Sequence, residues 1–521
     1  MGEVTQAPPA TSDRQTGNIA QLLSSRAAES PESPFLYVDE TGPWTYGVIA
    51  RASRELVREL RAHGVRRGGR VAVRVGNDER FAVAAFAIWA IGGVVVPMHP
   101  RVPRSDVIAI HDVLGLVAIV GDPADDLATA APATFVPLSP VDPSAAEAGD
   151  GLQVDASIQG DDPALILLTS GTTGTPKGVP LTHANAWSNL RSTVTAFSRR
   201  TGAFPIADPR KPPNLVANPL SHTAGILRLL LALYVGRRVV IVGKFRADLV
   251  VRLLERHQID NLTINPTMIR ILLEEVPAGG TLGAVRYVSS GTAPLPPALR
   301  ERFEERFGVP VLQAYGQTEA FGGIAVESVH DVLAGIRRPA SVGKPLPGVE
   351  VRIMGRDGQV VPTGDEGEIQ VRSGSMSRRY AGAGDAATLT DDGWLQTGDL
   401  GRLDEDGYLY VTGRVKNLII AGGFNIYPEE IEARLAEDPT VREALVLGVP
   451  DERLGEVPVA LVEAFDGATD PDGVLQRVNE RLVAYKRPRR LFVIPELPRV
   501  ANGKPDRGRC RALIDGLLSQ T

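Results

Sequence analysis

The strongest constraint on this chain is an apolar run that empties into a hydroxyl-rich turn. Ala164-Leu-Ile-Leu-Leu168 leads directly into Thr169-Ser-Gly-Thr-Thr-Gly-Thr-Pro-Lys-Gly178. A short continuous apolar run bounded by turn residues reads as a strand buried on both faces, and such strands belong to helix-covered α/β sheets, which bind ligands at strand ends. The turn offers the hydroxyls of Thr169, Ser170, Thr172, Thr173 and Thr175. Gly171, Gly174 and Gly178 let backbone N–H groups converge on an anion, and Lys177 adds a full positive charge. A phosphate-gripping loop is expected. It is not a Gly-x-x-x-x-Gly-Lys-Ser/Thr loop, because Pro176 precedes Lys177 and Gly178 follows it.

The surrounding chain extends the α/β pattern. Residues 45–63 place Ile49, Ala52, Leu56 and Leu60 on one helical face, with Thr45 as N-cap and Gly64 at the end. Helix 81–91, strand 94–96, helix 105–113 and strand 116–120 continue an alternation that implies a parallel sheet covered by helices. Residues 123–162 are rich in Ala, Pro, Asp and Gly, and are expected to be a loose connection. After the phosphate loop, helices 182–197 and 226–234 lead into strand-helix units through residue 289. Between 342 and 414 the turns Asp357-Gly358, Asp392-Gly393 and Asp406-Gly407 separate short alternating strands, so a small β-rich subdomain is expected. Shorter strands and helices from Val415 onward read as a separate α+β domain.

Bulk properties exclude several classes. A chain of 521 residues is too long for one core. Its net charge of −6 argues against a nucleic-acid surface. Cys510 is the single cysteine, so no internal disulfide forms. Residues 1–17 are polar, contain Pro8 and Pro9, and read as a disordered leader and not a signal peptide. The longest apolar run, 81–98, is divided by Gly92-Gly93 and stopped by Pro97. It therefore reads as a buried helix and strand instead of a membrane span, and a cytoplasmic enzyme is expected.

Further stretches follow the loop in a fixed order: Ser289-Ser-Gly-Thr-Ala-Pro-Leu295, Tyr315-Gly-Gln-Thr-Glu319, Gly393-Trp394 with Thr397-Gly-Asp-Leu400, the run from Gly413-Arg414 through Gly422-Gly423 to Glu432, and Pro498-Arg-Val-Ala-Asn-Gly-Lys-Pro-Asp-Arg507. With the loop, they make residues 18–507 resemble the adenylate-forming enzymes: acyl- and aryl-CoA synthetases, luciferases and peptide-synthetase adenylation domains. The resemblance implies an AMP-binding domain over 18–413, with two α/β subdomains and a β-rich one, and a mobile α+β domain over 414–521.

It also implies roles. Thr169, Ser170, Gly171, Thr172, Thr173, Gly174 and Lys177 would hold the phosphates of ATP. Gly291, Thr292, Ala293 and Pro294 would line the adenine, on which Tyr315, followed by Gly316, would stack. Thr318 would meet the α-phosphate, and Glu319 would bind Mg²⁺ as a hard carboxylate ligand. Asp399 would accept from the ribose hydroxyls, with Arg414 as a second contact. Lys416 would be the hinge pivot, Gly422 and Gly423 would border the tunnel for CoA, and Lys504 would bridge the acid and the α-phosphate. Asn502 stands where many relatives have Thr. His222 would lie beside the acyl pocket, built from residues 187–190, 222–228, Gly291 and Gly322-Gly323.

The implied reaction makes an acyl-adenylate from a carboxylic acid and ATP, with pyrophosphate released, and then a CoA thioester. Transfer to a carrier-protein thiol or to a nitrogen nucleophile, including ATP-dependent N–N bond formation, stays open, as do a catalytically silent nucleotide-binding role and a homodimer. Arg228 interrupts the apolar segment 226–233. It either faces solvent or enters the acyl pocket to meet a polar or anionic substituent.

Overall fold

The computed structural model describes residues 17–129, 131–144, 151–169, 177–197, 210–381, 389–465, 469–499 and 505–519. The apolar run is the strand Pro163–Thr169, parallel to Val94–Pro97 and antiparallel to Lys177–Thr182. It belongs to a six-stranded sheet ordered Thr134–Pro137, Ala118–Gly121, Arg70–Arg74, Val94–Pro97, Pro163–Thr169, Lys177–Thr182, in which only the last pairing is antiparallel. The helix Glu79–Ala90 packs on this sheet and buries every residue except Arg80. This accounts for its unbroken apolar sequence. No helix among the described residues is long and apolar enough to cross a membrane. The helix Tyr46–Ala62 packs beside it, and the Thr45 hydroxyl accepts from the Val48 N–H at 3.2 Å as the N-cap expected from sequence.

A second sheet runs Asn261–Ile264, Tyr287–Ser290, Val311–Gln317, Gly322–Val326, Lys344–Pro345, with the first three strands parallel. Leu262, Ile264, Val288 and Val311 turn one face into a core with the helices Ala247–His257, Pro266–Glu275 and Pro297–Phe307. A four-stranded sheet of Thr41–Thr45, Pro34–Val38, Val239–Ile241 and Asn214–Val216 ties the two together. The β-rich subdomain is the antiparallel sheet Glu350–Met354, Gly367–Arg372, Leu395–Leu403, Leu409–Arg414. Beyond it, Ile419–Ala421, Phe424–Ile426, Val441–Asp451, Gly455–Ala464 and Arg490–Ile494 form one further sheet.

The buried apolar clusters divide sharply along the chain. Four contain only residues up to Leu409, and two contain only residues from Ile419 onward. Contacts across that division are polar: Arg442 with Glu274 at 2.6 Å, Arg270 with Glu443 at 3.4 Å, Arg356 with Asn425 at 2.9 Å, and Tyr427 with Glu366.

Two expectations need correction. Residues 123–162 are not wholly loose, because Thr134–Pro137 adds to the sheet edge beside Ala118–Gly121. The strand is four residues long with one buried side chain, too short to show an alternation. The apolar run Val309–Leu312 before Tyr315-Gly-Gln reads in sequence as a short strand ending at Leu312, whereas the strand is Val311–Gln317 and its last residues pair antiparallel with Gly322–Val326. Tyr315 and Gln317 are polar because they bond to Asp399, so an apolar-run criterion stops short of them.

His183, at the start of the helix His183–Phe197, is fully buried, and its Nδ1 accepts from the Ile19 N–H at 3.1 Å. Burial lowers its pKa from 6.5 to about 4. The unfolded chain therefore takes up a proton near pH 6.5 that the folded chain refuses until about pH 4. The penalty grows as pH falls through that window and reaches about 3 kcal/mol. Urea unfolding between pH 7 and 4 should show His183→Gln losing less stability on acidification than the unmodified chain by about that amount.

Candidate active site

The site begins where the strand Val311–Gln317 ends in the single 3-10 turn Thr318–Ala320 and returns as Gly322–Val326. Across from it, the strand Leu395–Leu403 brings Asp399 into register with Arg414. The Tyr315 hydroxyl donates to Asp399 Oδ2 at 2.6 Å, the Gln317 amide donates to the same oxygen, and Arg414 Nε donates to Oδ1 at 2.7 Å. Asp399 is 2% exposed. A charge so buried requires partners of this kind. The Tyr315 phenol has its pKa pushed well up, first by burial and then by Asp399, so it stays a proton donor at neutral pH.

A second cluster lies at the turn. Tyr380 donates from its hydroxyl to Glu319 Oε1 at 2.9 Å, and the Lys177 ammonium lies 5.3 Å from the centre of the Tyr380 ring. Burial, and next Glu319, raise the Tyr380 pKa. Ala381 pairs with Gly178 and so holds Tyr380 against the edge of the hydroxyl-rich turn. Sequence reasoning missed Tyr380, which stands in Ser377-Arg-Arg-Tyr380 without periodicity or motif to mark it. Thr169 and Lys177 face each other across the hairpin that carries the phosphate loop. Ser170, Gly171, Thr172, Thr173 and Gly174 lie outside the described residues.

The helix Thr223–Val235 adds a third wall. His222 is its N-cap residue in extended backbone, and Thr223 donates from its hydroxyl to that of Thr318 at 3.4 Å. Gly322, at φ +106°, leaves space for this helix: a Cβ there would stand 2.3 Å from Leu227 Cδ1. Gly291 follows the strand Tyr287–Ser290, and Thr292 comes next at φ +69°. A β-branched residue rarely adopts this conformation, which collects at functional sites. Ala293 and Pro294 continue the same turn toward the helix Pro297–Phe307. Trp187 and Leu190 are core instead of pocket wall: both are buried in the main cluster, and the Trp187 indole donates to the Gly17 carbonyl at 2.8 Å.

Lys416 lies in the 3-10 turn Val415–Asn417. Its pKa is lowered by burial first and then by Arg414 and Arg507, while Asp399 and Glu319 pull the other way. It is therefore within electrostatic reach of both carboxylates. Gly422 and Gly423, at φ +56° and +87°, form the tight turn of the hairpin joining Ile419–Ala421 to Phe424–Ile426. Among the described residues no hydrogen bond, ion pair or ring contact joins that turn to Asp399 or Glu319. Lys504 and Asn502 lie outside the described residues. The flanks of that segment are fixed: Arg499 pairs with Pro505 and binds Glu443 at 2.7 Å, and Arg507 donates to the Val446 carbonyl at 2.8 Å.

No group of three or more His, Cys, Asp or Glu side chains that could hold a metal occurs among the described residues. One carboxylate, Glu319, linked through Tyr380 to Lys177, fits a cation that takes most of its ligands from phosphate and water, as Mg²⁺ does.

The profile of the AMP-binding enzyme family matches residues 23–381, and that of the AMP-binding enzyme C-terminal domain matches 430–504. This chain belongs to the AMP-binding enzymes. It is similar to 2-succinylbenzoate–CoA ligase of Bacillus cereus, 34% identical over 499 residues that span 95% of this chain and 98% of the relative. It is also similar to sulfoacetate–CoA ligase of Cupriavidus necator, 36% identical over 94% of this chain and 96% of that one. In structure it matches o-succinylbenzoate CoA synthetase of Bacillus subtilis in complex with its acyl-adenylate, with a TM-score of 0.82, 31% identity, and 95% and 98% of the two chains covered. That synthetase is also known with ATP and magnesium ion, at a TM-score of 0.80, 30% identity, and 94% and 99% coverage. This AMP-binding enzyme is an acid–thiol ligase. It activates a carboxylic acid with ATP and Mg²⁺, releases pyrophosphate and transfers the acyl group to CoA. The acceptor left open by the sequence is thereby CoA.

Replacing Asp399 by Asn would turn an N–H₂ group toward the donors of Tyr315, Gln317 and Arg414. Buried donors left unpaired cost roughly 1–3 kcal/mol each. The KM for ATP in pyrophosphate-release assays should rise at least about tenfold, and the melting temperature should fall. An unchanged KM would show that Asp399 serves the fold alone.

Proposed function

We propose that both half-reactions of this ligase run at the cluster built around Asp399 and Glu319, with the small domain turning about Lys416 between them. The observation that carries this reading is the ion pair of Arg414 with Asp399 at 2.7 Å, which ties the Asp399 cluster to the residue just before the turn Val415–Asn417 that holds Lys416. In the first half-reaction, Gly291, Thr292, Ala293 and Pro294 line the adenine and Tyr315 stacks on it, oriented by its bond to Asp399. Asp399 and Arg414 hold the ribose, since a carboxylate has about four acceptor sites and its protein donors use three. Residues 169–174 and Lys177 grip the phosphates. When bound, Mg²⁺ would be held by Glu319 and would neutralise charge on the departing pyrophosphate.

An oxygen of the acid attacks the α-phosphorus as the bond to the β-phosphate oxygen breaks. Thr318 and Lys504 stabilise the charge on the α-phosphate, and His222 screens the carboxylate. The 414–521 domain then rotates, so that the Gly422-Gly423 turn borders the incoming pantetheine. The CoA sulfur forms its bond to the acyl carbon, and AMP leaves with the electron pair of the C–O bond. Separate apolar clusters on either side of residues 409–419 and a polar boundary between them support such a rotation. ATP and CoA as substrates agree with a cytoplasmic enzyme. The two curated relatives are named for acids that bear a second acidic group, and we extend that class to this chain.

Lys504→Ala should lower acyl-adenylate formation by about 10² to 10³ while thioester formation from supplied acyl-adenylate continues at close to the normal rate. Single-turnover measurement of each half-reaction separates the two. Equal losses in both would remove Lys504 from the first step and the alternation with it.

A further inference from the structure

The helix Thr223–Val235 has two unlike faces. Gly225, Ile226, Leu229, Leu230, Ala232, Leu233 and Tyr234 are buried in the main core, while Thr223, Leu227 and Arg228 are only partly covered. The partly covered face is turned to the site, since Thr223 meets Thr318 and Leu227 stands against Gly322. Arg228 lies one turn beyond Ala224, also partly covered, and so stands at the edge of this face, about 7.5 Å beyond Thr223 along the axis. Arg228 is half-buried and not open to solvent. Burial lowers its pKa, and the phenol of Tyr287 and the guanidinium of Arg237 lie within its electrostatic reach.

The strands that carry Thr263 and Tyr287 present a polar face whose hydroxyls the fold does not use. In the paired strands Asn261–Ile264 and Tyr287–Ser290, Leu262, Ile264 and Val288 point into the helical core. Thr263 and Ser289, matched in register, point the other way, as does Tyr287. The hydroxyls of Thr263 and Ser289 are buried and have no hydrogen-bond partner among the described residues. Arg228 and Tyr287 likewise make no side-chain hydrogen bond or ion pair among the described residues. The nearby carboxylate of Asp260 is already engaged by Arg237 at 3.3 Å and by the Asn261 amide.

A half-buried cation without an ion-pair partner among the described residues, within electrostatic reach of a strand face that carries two orphan buried hydroxyls, is an incomplete arrangement. Buried charges and buried hydroxyls normally have partners. We infer that Arg228, with Tyr287, Thr263 and Ser289, forms the far end of the acyl pocket and binds a second anionic group, carboxylate or sulfonate, on the acid whose other end is activated beside Thr318. The inference rests on the acid-activating reading above and adds the residues that select the acid. The separation along the helix suits a short chain or a single aromatic ring between the two acidic groups.

The test is pyrophosphate release with three sets of acids: aliphatic diacids of three to six carbons and the three benzenedicarboxylates, their monomethyl esters, and ω-sulfo acids of matching length. The best diacid or sulfo acid should exceed its neutral counterpart in kcat/KM by at least about 100-fold, and the set that is turned over distinguishes carboxylate from sulfonate. Arg228→Leu should abolish that ratio or invert it, through KM for the acid, with KM for ATP unchanged. Arg228→Lys should retain part of it, which a purely structural arginine would not show. If Arg228→Leu does not fold, Tyr287→Phe should reduce the same ratio. Preference of the unmodified enzyme for neutral acids, or an equal loss for all acids in Arg228→Leu, overturns the inference and leaves the ligase intact. Failure of every acid to release pyrophosphate would instead strike at the acid-activating reading and take the inference with it.

Discussion

The Asp399 carboxylate is the interaction on which the rest of the site depends. A buried carboxylate is tolerated only when donors replace its water, and here the donors come from different parts of the fold. Tyr315 and Gln317 arrive on the last residues of an α/β strand, and Arg414 arrives on the final strand of the β-rich subdomain. Satisfying one charge thus fixes how those two layers meet. It also sets the tyrosine ring and anchors Arg414 immediately before the turn Val415–Asn417, the proposed hinge.

The Glu319 cluster is built differently. Its carboxylate, the Tyr380 phenol and the Lys177 ammonium are linked in series, and only one of these links is a hydrogen bond. Such a chain holds Lys177 near the turn without neutralising it, which suits a residue that must answer to phosphate charge. Where Asp399 is locked by three donors, the Glu319 side remains adaptable.

Much of this was legible in the sequence wherever local physics and burial agree. The strand Pro163–Thr169 announces itself because both of its faces are covered. The Thr45 cap and the Asp-Gly turns follow from local backbone chemistry. The strand end Tyr315–Gln317 was not legible from the apolar pattern, because its side chains bond to Asp399, distant in sequence, and break that pattern. Tyr380 gave no signal, since its position comes from pairing between Ala381 and Gly178, far apart in sequence. Arg228 was ambiguous for a related reason: helical spacing tells which residues share a face but not what covers that face. The strained Thr292 could not be anticipated either, because its φ is imposed by packing around the turn.

The boundary near residue 414 has a consequence for how the enzyme responds to its solution. Among the described residues no apolar cluster spans it, and the contacts that do are polar: Arg442 with Glu274 is solvent-accessible, while Arg270 with Glu443 is mostly covered. Exposed pairs are worth less than about 1 kcal/mol each and are screened by salt within about 10 Å at ordinary ionic strength. Separating the two bodies would therefore expose little oily surface, and salt would weaken the exposed part of what holds them. Dissolved electrolyte then acts as a lubricant for this joint, loosening one domain from the other without softening either core.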